Sequence, residues 1–365
     1  MRIERLKWPS FKCIGGLLFL LPLSVWSAPL DALLSADQLH FAGEFRAELS
    51  VDAVNDTLDV LKIRGDDPLF AGTNVGDYLG QHVRLSYALN PKLFVEGGFW
   101  RRKITYRTDE ESLDSWQLAG QYRVFGDQSS RLHGALRLSA WGNRSPSLKK
   151  NTPTQVGGRT VNTISIDEVE DTQTQLDAIA SWRFNRKNTV SGFVGVGRGS
   201  VSTGNLSATY TSSNGCNYIL TFTQTETVGQ LAAPCSATGT VIGEFKTSQS
   251  VLPEFSYDTS YLQLGGSWLW QSGDWAMRAG YQFQHLNRGN VDNLITSRGG
   301  TSYQNNHIVV ADLFRRITPH VALFVRGQAM SNQFVGEIPF IYNSVTASKF
   351  NRKYGLVSFG VNMAF

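Results

Sequence analysis

The chain ends Tyr354-Gly355-Leu356-Val357-Ser358-Phe359-Gly360-Val361-Asn362-Met363-Ala364-Phe365, and this stretch decides the fold. Successive side chains of a strand point to opposite faces. Val357, Phe359, Val361, Met363 and Phe365 therefore share one face, and Leu356, Ser358, Gly360, Asn362 and Ala364 share the other. A period of two marks a strand with one apolar and one more polar side. The pattern recurs upstream. Leu132, Leu136, Leu138 and Ala140 alternate with His133, Arg137 and Ser139; Trp116, Leu118, Tyr122 and Val124 alternate with Gln117, Gln121 and Arg123. Trp275, Met277, Ala279, Tyr281 and Phe283 alternate with Arg278, Gln282 and Gln284.

Such alternation suits a sandwich with one wet face or a membrane barrel, and the connections separate the two. Short turns are read at Asn90-Pro91-Lys92, Gly126 to Ser130, Asn185 to Asn188, Gln271 to Asp274 and Ile317 to His320. Long connections are read at 52–77, 107–113, 142–171, 200–256, 286–304 and 331–353. The two kinds alternate, as an up-and-down barrel with short turns at one end and long loops at the other requires. A Greek-key sandwich has no reason to sort its loops by length. The expectation is an all-β chain: one antiparallel up-and-down transmembrane β-barrel of about twelve strands, range 10–14. Both termini then fall at the short-turn, periplasmic end. Phe125, Phe184, Trp270, Trp275 and Phe365 sit beside the short turns or at the terminus, where an interfacial aromatic girdle belongs.

The quoted ending resembles the terminal strand of Gram-negative outer-membrane β-barrel (porin-like) proteins. In that family the barrel-assembly machinery reads a closing Phe preceded by alternating apolar residues. The resemblance implies the same role for Phe359, Val361, Met363 and Phe365, and implies an integral outer-membrane protein surrounded by lipid and lipopolysaccharide. It covers about twelve residues closely and the rest only as a generic strand pattern, so it points to no named subfamily.

Composition agrees with this class. The 365 residues are 41% hydrophobic and 12% aromatic but only 18% charged, with 35 Gly, which disfavours disorder. The one long apolar run, Ile14 to Val25, is shorter than the roughly 20 residues a spanning helix needs. It follows Arg2, Arg5, Lys7 and Lys12 and precedes Ser24-Val25-Trp26-Ser27-Ala28, so residues 1–27 read as a secretory signal peptide cut after Ser27. Residues 28–365 are then the barrel. Removing the basic leader leaves charge nearly balanced, with no basic stripe that would argue for nucleic acid. Export also puts Cys216 and Cys235 in an oxidising compartment, where a disulfide is expected.

With apolar faces toward lipid, the intervening residues line the interior. Arg46, Arg84, Arg123, Arg137, Arg183, Arg278 and Arg326 are read as pore-lining, with Glu44, Glu48, Glu96 and Asp177 as the clearest acids. That surplus biases a wet lumen toward anions; the bland alternative is an Arg–carboxylate network that fills and stiffens the barrel. Twelve strands lie between the filled eight-stranded barrel and the open sixteen-stranded one, so a narrow or gated passage follows. Loop 200–256 is the longest connection. It can fold inward, stand outside as a tied hairpin, or contribute two more strands.

Catalytic patterns are weak. His285 tops a strand, but Asn287 occupies the place where outer-membrane lipid hydrolases carry their Ser; Ser297 and Ser302 follow in the loop, and His307 opens the next strand. Rim hydrogen bonding is the simpler reading for both histidines. Gly192-Phe193-Val194-Gly195-Val196-Gly197 has no following helix and is not a dinucleotide loop. Asp109-Glu110-Glu111 reads as an acidic run in an outer loop. The expectation is a porin-like channel for passive diffusion of small hydrophilic solutes, with weak anion preference and no catalytic residues, metal or cofactor. A surface-exposed structural or binding barrel, an adhesin or assembly component acting through its loops, is the second reading. A rim lipid hydrolase is the third.

Overall fold

The computed structural model describes residues 31–365 except 38–41, 55–74, 107–108, 128, 152, 157–158, 213, 233–234, 236–240, 298, 333–335 and 344–352. Residues 1–27, read as the signal peptide, lie outside the described residues, as does much of the connection 52–77.

Twelve antiparallel strands close into a ring. They are β1 (Phe45–Val54), β2 (Val75–Asn90), β3 (Leu93–Tyr106), β4 (Asp109–Phe125), β5 (Leu132–Lys150), β7 (Arg159–Asn185), β8 (Asn188–Ser202), β13 (Tyr257–Ser272), β14 (Trp275–Asn287), β15 (Asn305–Thr318), β16 (Val321–Met330) and β17 (Tyr354–Ala364). Each pairs with the next in the chain order of the ring, and β1 pairs with β17 from Arg46↔Ala364 to Ala53↔Val357. Phe365 finishes that seam: its N–H donates to the Phe45 carbonyl at 2.8 Å, and the two rings lie 6.3 Å apart. Closure leaves no edge strand, and in lipid every backbone group must be paired within the sheet.

Side-chain direction follows the sequence pattern. Leu118, Leu138, Val196, Leu79, Phe359 and Phe365 are all more than half exposed, on the outside of the ring. The same wall buries Arg, Glu, Gln and Ser inside, the inverse of a water-soluble core. Phe125, Phe184, Trp275 and Phe365 are exposed beside the short turns, while Trp270 is half-buried. At one such turn Asp127 accepts hydrogen bonds from the hydroxyls and backbone N–H groups of Ser129 and Ser130, which pulls its carboxyl down to about 2.

The five further strands lie beyond the ring at its long-loop end. They are β6 (Thr154–Val156), β9 (Leu206–Thr211), β10 (Asn217–Phe222), β11 (Thr227–Leu231) and β12 (Glu244–Thr247). The outer half of β7 pairs with β9, and β10, β11 and β12 add in sequence, so the wall continues outward as a sheet. Cys216 and Cys235 form the expected disulfide, Cα–Cα 5.3 Å, closing the β10–β11 hairpin. Loop 200–256 thus adds no strands to the ring. It stands outside through β12, and then Leu252 and Phe255 return as buried residues over the mouth.

Two of the expected long connections shorten. Only residues 107 and 108 fall between β3 and β4, so 109–113 are strand and not part of a long connection. Asp109, Glu110 and Glu111 accordingly sit in β4, where Glu110 pairs across the sheet with Lys103 at 2.6 Å. Most of 142–171 is also strand, the far ends of β5 and β7. Above the bilayer a strand gains nothing from apolar outward residues, so the alternation that marks it disappears from the sequence.

Candidate functional site: the lumen

From the turn end to the loop end the interior is layered. The first layer is apolar, with Ala276, Phe314 and Phe324 in one cluster and Ala88 with Phe94 in another. A charged belt follows. Arg278 donates to Asp312 at 2.6 Å and Arg326 to the same carboxylate at 2.8 Å; Arg326 also lies 3.9 Å from Glu48. Arg84 lies 3.5 Å from Glu96, which also pairs with Arg137, and Arg46 pairs with Glu44. Six of the seven expected arginines are buried in the lumen, together with Glu44, Glu48, Glu96 and Asp177; Arg183, near the turn end, is partly exposed. Above the belt come amides: Gln282 donates to Gln263, which donates to Asp177 at 2.9 Å, and Gln175 donates to the same carboxylate.

Two further segments occupy the interior. Residues 31–37 lie inside the ring, with Ala32, Leu33, Leu34 and Ala36 almost fully buried. Asp37 pairs with Arg183, accepts from Thr189 Oγ1 at 2.9 Å and lies 3.3 Å from His133 Nδ1. Gln121 Nε2 donates to the Ser35 carbonyl at 2.9 Å, Ser267 to the Leu34 carbonyl at 3.1 Å, and the Ala36 N–H to Ser181 Oγ at 2.7 Å. At the other end of the segment, Asp31 lies within electrostatic reach of Arg84, Arg137, Arg278 and Arg326.

The loop end is closed by chain 336–343 and by helix α1 (Asn290–Ser297). Ile338, Phe340 and Tyr342 are buried among the wall residues Trp141, Tyr261 and Leu286 and among Val291 and Ile295 of α1. Polar ties hold this cap. Glu337 pairs with Arg102 at 2.6 Å, the Glu337 carbonyl accepts from Asn143 Nδ2 at 2.9 Å, and Tyr257 OH donates to the Pro339 carbonyl at 2.6 Å. The Arg288 guanidinium stacks 4.1 Å over the Tyr342 ring. Burial pushes the Tyr342 phenol above its ordinary value; its oxygen accepts from the Tyr303 N–H at 2.8 Å.

Sequence reasoning missed several lumen residues. Asp312 anchors two arginines, yet its strand is apolar on both faces, which hid the inward side. Asp52, Asp31 and Asp37 add further carboxylates, so the cation surplus read from the sequence is offset in this conformation. A second missed group is His82. Asp52 Oδ2 lies 3.2 Å from its Nδ1, Glu48 Oε1 3.1 Å from its Nε2, and Ser50 Oγ 2.9 Å from Nδ1. Ser50 Oγ donates to Asp52 Oδ1 at 3.0 Å, so its hydrogen is directed at the carboxylate and not at the ring. The group is an ionic junction in the belt.

At the rim, His285 Nδ1 faces Asn305 Oδ1 at 2.8 Å and His307 Nδ1 faces Tyr281 OH at 2.8 Å, both on the outer surface. Ser302 Oγ donates to Asp292 and Ser297 Oγ to the Leu294 carbonyl, so neither is directed at His285. Among the described residues no group of three or more His, Cys, Asp or Glu is arranged so that it could hold a metal ion.

No family model and no curated protein matches the chain. Among solved structures it is similar to the translocator domain of the autotransporter NalP from Neisseria meningitidis, at 10% identity over 89% of each chain, TM-score 0.45. It is also similar to an outer membrane channel from Pseudomonas putida F1, at 8% identity over 91% of this chain and 100% of that one, TM-score 0.41. The KdgM porin matches at 7% identity over 87% of this chain and 99% of that one, TM-score 0.36. At such identities none of them speaks to the chemistry of this lumen.

Proposed function

We propose that the protein is an integral outer-membrane channel for small hydrophilic solutes, closed in the conformation described above and opened by displacement of its two internal segments. The observation that carries the reading is where the blockage comes from. The ring has twelve strands, more than side chains alone fill in an eight-stranded barrel. What fills the difference is residues 31–37 from the turn end and 336–343 from the loop end, neither of which belongs to the wall. The turn end, where β1 begins and Phe365 closes the seam, faces the periplasm; the apolar outer band faces lipid and lipopolysaccharide. Phe365 and its alternating apolar partners present the strand that the assembly machinery reads. When residues 31–37 leave, Asp31 and Asp37 leave with them, and the belt regains the positive bias that favours anions.

A solute-swelling assay tests this. Liposomes carrying a variant with residues 31–37 replaced by Gly and Ser, and with Ile338, Phe340 and Tyr342 changed to Ser, are expected to admit a pentose quickly, whereas the unaltered chain admits it slowly. Equal and negligible rates from two well-folded barrels would favour the loop-acting structural or binding barrel instead.

A further inference from the structure

The turn-end half of the lumen is built like a receptor for peptide. Residues 31–37 make no strand pairing with the wall, yet their main chain is recognised at three points: Gln121 and Ser267 donate to two carbonyls, and Ser181 accepts from one N–H. Leu34 and Ala36 pack against Ala135, Ile179 and Phe193 in a small apolar seat. Gly280 leaves room for the Ala32 carbonyl: a Cβ there would stand 2.2 Å from that oxygen and 2.7 Å from the Leu33 side chain. The two carboxylates meet cationic groups at each end, Asp37 at Arg183 and Asp31 within the field of Arg84, Arg137, Arg278 and Arg326.

Main-chain hydrogen bonds, a glycine cut-out, an apolar seat and charge at both ends are the parts of a peptide-binding site. Any buried segment needs its main-chain groups paired; the glycine cut-out at Gly280 and the cations placed at both ends go beyond that need. We propose that the inner faces of β4, β5, β7, β8, β13 and β14 form a binding site for a short acidic peptide, that residues 31–37 are its occupant in cis, and that acidic peptides are the solute class the channel takes. Only the last clause rests on the channel reading. A peptide arriving from the turn end competes with the segment for the same groups, so binding and displacement of the turn-end plug are one event.

The test uses the full barrel with residues 31–37 replaced by Gly and Ser, and a fluorescent, end-capped peptide of the sequence Asp-Ala-Leu-Leu-Ser-Ala-Asp as probe. Anisotropy is expected to report saturable binding. It should weaken at least tenfold when both aspartates of the probe are Asn, or when Gly280→Val is added to the barrel. The unaltered chain, its site already occupied, should bind the probe at least tenfold more weakly. No saturable binding to a replaced barrel that retains heat-modifiable mobility on gels, or binding indifferent to both changes, would overturn the site. Binding by a barrel that admits no solute even with the cap also opened would uphold the site and remove the channel. Solute entry that the peptide does not slow would remove acidic peptides as its cargo.

Discussion

At the residue scale, the belt turns on Asp312. Fully buried, it accepts from both Arg278 and Arg326. Removing one partner of a buried ion pair strands the other in a medium that solvates it poorly, at a cost of about 3–5 kcal/mol. Asp312→Asn keeps the shape and removes the charge, so it is expected to lower the stability of the folded barrel by that order, read from the urea midpoint in lipid vesicles. An unchanged midpoint would mean that water solvates the belt. The inward direction of the six buried arginines was legible from their alternation with apolar neighbours, because the lipid face and the lumen face differ sharply on their strands. Asp312 was not, since Ile308, Val310 and Phe314 make its inward face as apolar as the outward one. Its neighbours serve the apolar layers on either side of the belt.

At the element scale, the ring strands were readable wherever lipid touches them and lost where it does not. β17 follows its alternation almost to the terminus, but β4 before Leu113 and β7 before Asp171 lie where no lipid imposes a pattern. The tied hairpin belongs to this outer region. Cys216 and Cys235 close β10 and β11, away from the ring, and the small cluster around them holds Tyr210 and Tyr218. Changing both cysteines to Ser is therefore expected to leave the stability of the barrel unchanged while making the hairpin susceptible to protease added outside intact cells. Loss of the whole barrel would show that the hairpin takes part in folding the wall. The segment 31–37 carried no periodic signal at all. It is neither strand nor amphipathic helix, and its place is set by wall residues hundreds of positions away, such as Ser267 and Gly280.

At the scale of the whole molecule, the wall and its contents obey different constraints. The wall satisfies its backbone by closure and its outward side chains by lipid. The lumen has to satisfy buried charge, and it does so with carboxylates from the wall and from the inserted segment together. A purely structural barrel and a closed channel share that wall, and they differ in whether the contents can leave. Single-channel recording in a planar bilayer under a salt gradient tests the difference most directly, comparing the unaltered chain with the variant opened at both segments. The account predicts rare or brief openings for the unaltered chain, and large steady steps with an anion-biased reversal potential for the opened variant. A variant that folds into a heat-modifiable barrel and passes no current would contradict it.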